Sequence, residues 1–461
     1  MSGAPSIVWL RDDLRIADNP ALTAAVERGR PVVMLYLLDE ESPGVRPLGG
    51  ASRWWLHHSL ERLGEELADL GGALTLRRGA AEPSIRSLIE ETGAGAVYWN
   101  RRYGAAKQTD AALKSRLTDD GVEATSFQAS LLFEPWTITT GAGGPYGVFT
   151  PYWKACLTRP EPREPLPAPT RIDGLTPGSD ALADWTLLPA RPNWAEGLRE
   201  TWTPGSAGAH HRLEEFAEDV LADYHRRDEP GLRATSMLSP HLRFGEISPF
   251  EVWHRMRHGL GSAAAKNRDK FLSEIGWREF SYHILFHHPD LATRNYRADF
   301  DAFPWTTPGE DELDRWRHGR TGIPIVDAGM RQLWRTGWMH NRVRMITASF
   351  LTKNLQIDWR TGEEWFWDTL VDADEASNAA SWQWVAGSGA DAAPYFRVFN
   401  PELQAKKFDP RGEYVHRWVP EAGTDEYPES MVDLRESRQA ALDAYEAVKA
   451  AKQARDAVAG Q

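Results

Sequence analysis

At 461 residues and about 150 residues per domain, the chain has room for two or three packed units, and a composition of 41% hydrophobic and 26% charged residues excludes disordered and fibrous classes. Fifty-three Lys and Arg against 66 Asp and Glu leave a net charge of −13, which opposes wholesale adhesion to nucleic acid or an anionic membrane but permits a local basic patch. A single cysteine, Cys156, excludes an intrachain disulfide or a cysteine zinc cage; with no basic leader and no apolar run longer than Val32 to Leu38, the expected address is cytoplasmic, without membrane insertion.

The first 150 residues alternate short apolar runs with amphipathic stretches. Ser6 to Leu10, Pro31 to Leu38, Leu74 to Leu76 and Ala96 to Asn100 read as buried parallel strands. Pro20 to Arg28, Ser52 to Leu70, Pro83 to Glu91 and Ala105 to Leu117 read as the crossover helices. The pattern predicts an open, doubly wound α/β sheet, a fold that binds ligands at the carboxyl ends of its strands. Arg159 to Pro169 holds five prolines and opens a long linker expected to wrap over the surface. From about Ala209 the pattern becomes all-helical and ends near Trp418, and Glu436 to Gly460 reads as one exposed charged helix. The expected organisation is an α/β domain over 1–135, a linker over 136–208, a helical domain over 209–420 and a helical tail over 421–461, without internal repeats.

Chemistry is expected in the helical half. Arg331 to Arg360 carries Arg331, Arg335, Arg342, Arg344, Lys353 and Arg360 against one acid, Asp358, and interleaves Trp334, Trp338 and Trp359. Cations beside flat rings suit phosphates beside bases, although a solvated helix face explains such a run equally well. Glu274, Trp277, Arg278 and Ser281 fall on one helix face, and Asn341, Arg344 and Met345 repeat the spacing, with Trp338 one turn earlier. Asn378 and Trp382 are four apart. Taken singly, the Glu274 and Arg278 face is as well explained by a surface ion pair. TSMLSP, Thr235 to Pro240, places two hydroxyls and free backbone N–H groups at a helix start, which suits a pyrophosphate or a plain N-cap. No GxGxxG, GxxxxGK[ST] or HExxH motif occurs. The neighbouring pairs His57-His58, His210-His211 and His287-His288 are expected to diverge, so no metal site is expected. Tryptophan, 21 residues against 16 Phe, is the surplus that demands an explanation: indole-rich cores, or indoles with a task.

Five segments together carry a family likeness: VWLRDDLRIADNPAL at Val8 to Leu22, TSMLSP, EIGWREF at Glu274 to Phe280, GWMHNRVRM at Gly337 to Met345, and WQWVAGSGADAAPYFRVFNP at Trp382 to Pro401. The chain resembles the photolyase/cryptochrome family over nearly its whole length, most nearly the class I cyclobutane pyrimidine dimer photolyases. The resemblance implies an α/β antenna domain, a helical domain holding FAD, light-driven repair of UV-damaged DNA, and a monomer. It implies further that Tyr224, Thr235, Ser236, Met237, Leu238 and Ser239 hold the FAD phosphates with Arg278 nearby. Phe271, standing where a tryptophan is expected, would lie beside the cofactor with Trp338, Asn341, Arg344, Asp372, Ala373, Asp374 and Asn378. Glu274, Trp277, Asn341, Met345 and Trp384 would line the dimer pocket, and Arg227, Arg342, Arg397 and Gln404 would meet the DNA backbone. A neutral amide at Asn378 beside flavin N5 hydrogen-bonds the reduced, anionic ring without adding charge. Glu274, in a closed pocket, would give a proton or hydrogen bond to the dimer. Trp382, Trp359 and Trp305 would form an electron-hopping chain.

Within the family, (6-4) photolyases carry histidines where this chain has Asn341 and Met345, and cryptochromes usually carry a long extension beyond the helical domain; both features favour dimer repair. The antenna chromophore, methenyltetrahydrofolate or 8-hydroxy-5-deazaflavin, stays open, because RRYGAAKQTD after Asn100 follows neither pattern.

Overall fold

The computed structural model describes residues 3–258, 265–392 and 396–459. Ala393 to Tyr395 of the last family segment lie outside the described residues.

Five strands, β1 (Ser6–Leu10), β2 (Val32–Leu38), β3 (Leu74–Arg78), β4 (Ala96–Asn100) and β5 (Glu123–Phe127), form one parallel sheet in the order β3-β2-β1-β4-β5. Helices α1 (Pro20–Glu27), α2 (Gly50–Asp69), α3 (Ala81–Thr92) and α4 (Lys107–Asp119) are the crossovers. Because side chains alternate, β1 and β2 send Val8, Leu10, Met34 and Leu38 into one core and Ile7, Trp9, Val33 and Leu35 into the other. Both faces are covered, which is why these strands read as unbroken apolar runs. β5 was absent from the expected strands: at the sheet edge it is half-covered, and EATSF has no such run. Asn19 caps α1 by accepting from the Leu22 N–H (3.2 Å), and Asn100 at the end of β4 donates to Asn19 (2.8 Å) and Asp13 (2.6 Å).

The helical half comprises α5 (Phe149–Leu157), α6 (Glu196–Thr201), α7 (Ser206–Glu215), α8 (Ser239–Arg243), α9 (Pro249–His258), α10 (Ala265–His287), α11 (Glu310–Arg317), α12 (Pro324–Thr336), α13 (Asn341–Ser349), α14 (Trp359–Thr369), α15 (Ser377–Ala386), α16 (Pro401–Phe408), α17 (Glu413–Trp418) and α18 (Leu434–Ala459). The expected surface linker is more tightly held than its prolines imply. Within it, α5 puts Tyr152, Trp153 and Cys156 into the helical core. The buried Ile172 ties to α2 through Leu70 (2.8 Å), and Val32 of β2 bonds the backbone of Asp173 (2.8 Å) and Leu175 (2.9 Å). The tail helix is likewise not a free exposed rod: α18 buries Ala441 and Val448, bonds Asn354 through Ser437 (2.9 Å) and stacks Tyr445 on Phe396 (4.4 Å between rings). Much of the tryptophan surplus serves packing: Trp9, Trp54, Trp55, Trp99, Trp316 and Trp359 are all fully buried.

One buried carboxyl joins the halves. Glu279 of α10, fully enclosed, accepts the backbone N–H groups of Leu132 (3.0 Å) and Phe133 (3.1 Å), just after the sheet domain. Burial pushes its pKa up to about 7. The native state therefore keeps a proton that the unfolded chain gives up above the ordinary Glu range near 4.5, so stability falls as pH rises from there to about 7. Glu279→Gln is expected to flatten this slope, worth about 1.4 kcal/mol per pH unit at full separation. Denaturant melts of both proteins at pH 5 and pH 8 check this, and parallel slopes would refute it.

Candidate functional site

α8, α13 and the turn between α14 and α15 meet at one polar network. Asp372, nearly buried, pairs with Arg344 of α13 (2.8 and 3.1 Å) and accepts from the Ser239 hydroxyl at the start of α8 (2.7 Å). Arg344 also donates to the Met339 carbonyl (2.7 Å), and its guanidinium lies 6.0 Å from the Trp338 ring. Asp374 caps α15 by accepting from Ala376 (3.1 Å) and Ser377 (2.6 Å), and Tyr282 donates to it (2.5 Å). Between these two acids, Ala373 is buried and its carbonyl accepts from Arg243 of α8 (2.6 Å). Ahead of α8, Thr235 and Ser236 lead into Met237, whose φ of +52° turns the chain so that Leu238 points into the core. Tyr224 and Phe271 pack against Phe216 (5.5 and 4.6 Å) and each other (5.6 Å), a buried aromatic wall beside this loop.

One turn before Trp382, Asn378 donates both amide hydrogens to Glu363, to its carbonyl (3.0 Å) and its carboxylate (2.8 Å). Its oxygen is therefore the polar atom left to meet a ligand. Glu363 carries no signal in the sequence and was not among the expected residues.

The expected substrate side splits. Glu274 sits half-exposed between Lys270 (3.0 Å) and Arg227 (3.5 Å), not in the closed apolar enclosure expected, because the neighbouring turns supply cations. Arg278, four residues on in the same helix, donates to the Ser130 carbonyl (2.7 Å), so the spacing holds but the two residues do not form the surface ion pair. Trp277 stacks on Phe149 (3.9 Å, 12°), and the Trp384 indole donates to the Asp391 carbonyl (3.0 Å). Asn341, exposed, opens α13; its neighbour Arg342 pairs with Asp228 (3.0 Å), touches Met345 (3.6 Å) and covers Phe408 of α16 (4.3 Å). Arg397 is exposed, 5.8 Å over the Phe399 ring, and Gln404 is half-buried on α16.

The local charge inversion of Arg331 to Arg360 does not survive folding as a bare basic patch. Arg331 pairs with Glu421, Arg335 with Glu196 and Glu200, Arg342 with Asp228, Arg344 with Asp372 and Arg360 with Asp358. Lys353 is buried on the Ala386 carbonyl, its pKa driven down by burial. Apart from Asp358, acids outside the stretch supply the counter-charges. The divergence expected of the histidine pairs is corrected for one of them: on α2, His57 and His58 both approach Glu61 one turn on (3.4 and 2.8 Å), and ligand-type atoms of the three lie within 4.8 Å of one another.

Trp382 (2% exposed) and Trp359 (0%) are enclosed in one core that Trp305 joins from its half-exposed edge. Backbone bonding of Thr306 to Gln356 (2.8 Å) holds the segment that carries Trp305 beside the start of α14. A cleft opens at the carboxyl ends of β1, β2 and β4, where the strand order reverses, with Trp9, Arg11, Tyr36 and Arg102 facing Arg243 and Glu375 of the helical half. Burial raises the Glu375 pKa to about 7.

Comparison with known proteins gives a consistent result. Residues 6–170 match the family described as DNA photolyase, and residues 271–425 match the FAD binding domain of DNA photolyase. The chain is 51% identical to the deoxyribodipyrimidine photo-lyase of Agrobacterium fabrum, over 97% of this chain and 98% of that one. It is 40% identical to cryptochrome-1 of Arabidopsis thaliana, over 91% of this chain and 63% of that one. A bacterial class III photolyase from Agrobacterium tumefaciens superposes with a TM-score of 0.93 at 49% identity, covering 97% and 98% of the two chains. The likeness expected to class I enzymes is thus corrected toward class III. No helix among the described residues is long and apolar enough to cross a membrane.

Proposed function

Starting from a chain that belongs to the DNA photolyase family, an FAD-binding line of light-driven DNA repair enzymes, we propose that it splits cyclobutane pyrimidine dimers flipped out of DNA onto residues carried by α10, α13 and α15. The observation that carries this reading is the donor set around Asn378. Its amide leaves its oxygen as the atom to meet a ligand, while a second network joins Arg344, Asp372 and Ser239 at the start of α8, next to the left-handed turn at Met237. These residues fit FAD: they offer both acceptor and donor groups, and the loop Thr235 to Ser239 supplies hydroxyls and backbone N–H groups for its phosphates. When bound, reduced FAD supplies under light the electron that opens the cyclobutane ring and recovers it afterwards.

The chain's own residues do the rest. Asn378 accepts a hydrogen bond from the flavin ring without adding charge, and Arg344 offsets negative charge there while Asp372 holds it in place. Trp277 and Trp384 provide flat walls for the extruded bases, and Asn341 and Met345, where a (6-4) site would carry histidines, fit a pyrimidine dimer. Arg227, Arg342, Arg397 and Gln404 contact the backbone; Arg227 leaves Glu274 for phosphate, which frees the carboxyl to face the thymine carbonyls. The cleft at the strand ends takes the antenna chromophore. The chain works as a monomer in the cytoplasm.

The reduced, FAD-loaded protein is illuminated with a thymine-dimer oligonucleotide, and absorbance at the thymine band is followed against a dark control. Recovery only in light is expected; no recovery with FAD bound and photoreducible would replace repair by a light-sensing role. In the same assay Glu274→Ala is expected to lower repair about tenfold, about 1.4 kcal/mol of lost stabilisation. Unchanged repair would remove Glu274 from the reaction.

A further inference from the structure

We propose that Arg46, a residue of the sheet domain, is a positioning residue for the flavin: by clamping Glu363 it fixes which end of the Asn378 amide faces the ring, and so favours flavin protonated at N5. The inference rests on the reading of Asn378 as the N5 neighbour.

The chain of contacts is short and crosses the domain boundary. Arg46, between β2 and α2, grips the Glu363 carboxylate with both terminal nitrogens (2.7 and 2.9 Å). The Glu363 oxygen bonded at 2.7 Å also accepts from Asn378 (2.8 Å), and the Glu363 carbonyl takes the other amide hydrogen (3.0 Å). Both groups meeting that nitrogen are pure acceptors, so the amide cannot be reversed without pairing oxygen against oxygen. The carboxylate is 3% exposed, and the cation from the other domain compensates its charge. The Arg46 loop is itself seated on α14. The guanidinium lies 4.1 Å over Trp367, the Trp367 indole donates to Pro47 (2.8 Å), and a Cβ on Gly49 would come within 2.3 Å of the Trp367 carbonyl oxygen.

An amide oxygen held toward N5 accepts from an N5–H; an amide turned round presents N–H groups and favours the unprotonated ring. Without Arg46 the buried carboxylate either swings toward solvent or takes up a proton, and either way Asn378 loses or weakens one of its two acceptors and is held chiefly by the Glu363 carbonyl.

The test uses the full FAD-loaded protein, photoreduced by one electron and then kept in air in the dark, so that no ligand in the strand-end cleft contributes. The lifetime of the long-wavelength absorption of the N5-protonated radical is the readout. Arg46→Ala is expected to shorten it about tenfold, the scale of one lost hydrogen bond to a charged group, with FAD content unchanged. Arg46→Lys, which keeps the charge but not the two-pronged grip, should fall between. Asn378→Ala is the control: if it shortens the lifetime and neither Arg46 variant does, the clamp is refuted while the Asn378 reading stands. If Asn378→Ala also leaves the lifetime unchanged, the Asn378 reading fails and takes the clamp with it. Should Arg46→Ala not retain FAD, Arg46→Lys decides, and a wild-type lifetime there overturns the proposal.

Discussion

Trp382→Phe is expected to abolish light-driven reduction of bound FAD in the presence of an external reductant, while chemically reduced variant still repairs dimers. Trp382 follows Asn378 by one helical turn and is enclosed, edge-on to Phe366 (4.9 Å) and Trp316 (6.3 Å). It shares its core with the buried Trp359, while Trp305 sits half-exposed at the core's edge, so the three indoles run from enclosed to partly exposed, as an inward-moving electron requires. Phenylalanine fills most of the same space but is far harder to oxidise. Stability should therefore suffer less than the about 3–5 kcal/mol of truncating a buried tryptophan to alanine. Absorbance of oxidised FAD under steady blue light, with and without reductant, makes the measurement. Undiminished reduction would mean that the electron enters by another route, for which Trp316 is the neighbouring indole.

Glu246→Ala is expected to cost about 3–5 kcal/mol of stability, more than any surface change, because it removes one buried acceptor serving four donors. One carboxylate oxygen receives the Trp55 indole (2.9 Å), the Ser59 hydroxyl (2.7 Å) and the Gly205 backbone N–H (2.7 Å); the other meets His241 (2.5 Å). Trp55 and Ser59 belong to α2 of the sheet domain and His241 to α8, so the loss loosens the joint beside the flavin loop. Denaturant unfolding followed by tryptophan fluorescence and by FAD absorbance checks this. A loss below about 1 kcal/mol would show that water satisfies the donors.

Legibility followed how local the physical cause was. Strands β1, β2 and β4 were readable because burial on both sheet faces leaves unbroken apolar runs; the edge strand β3 showed only Leu74 and Leu76, and the other edge strand, β5, left no such mark. The ordered motifs drew attention to Arg344 and Asn378, which lie on α13 and α15, and to Asp372, which lies in the turn between α14 and α15. Glu363 and Arg46 were invisible: 317 positions separate them, and neither stands in a distinctive pattern. The basic stretch misled for the same reason, its counter-charges lying at Glu196, Glu200, Asp228, Asp372 and Glu421.

By itself, then, the sequence determined the two-part architecture and the family, because periodicity and motif spacing act within a few turns of one chain segment. Only the tertiary structure decided which charges are neutralised, which way the Asn378 amide faces and how the tail helix is docked. Those outcomes depend on pairings between distant segments, and a buried carboxylate or amide takes its state from whatever group folding sets against it.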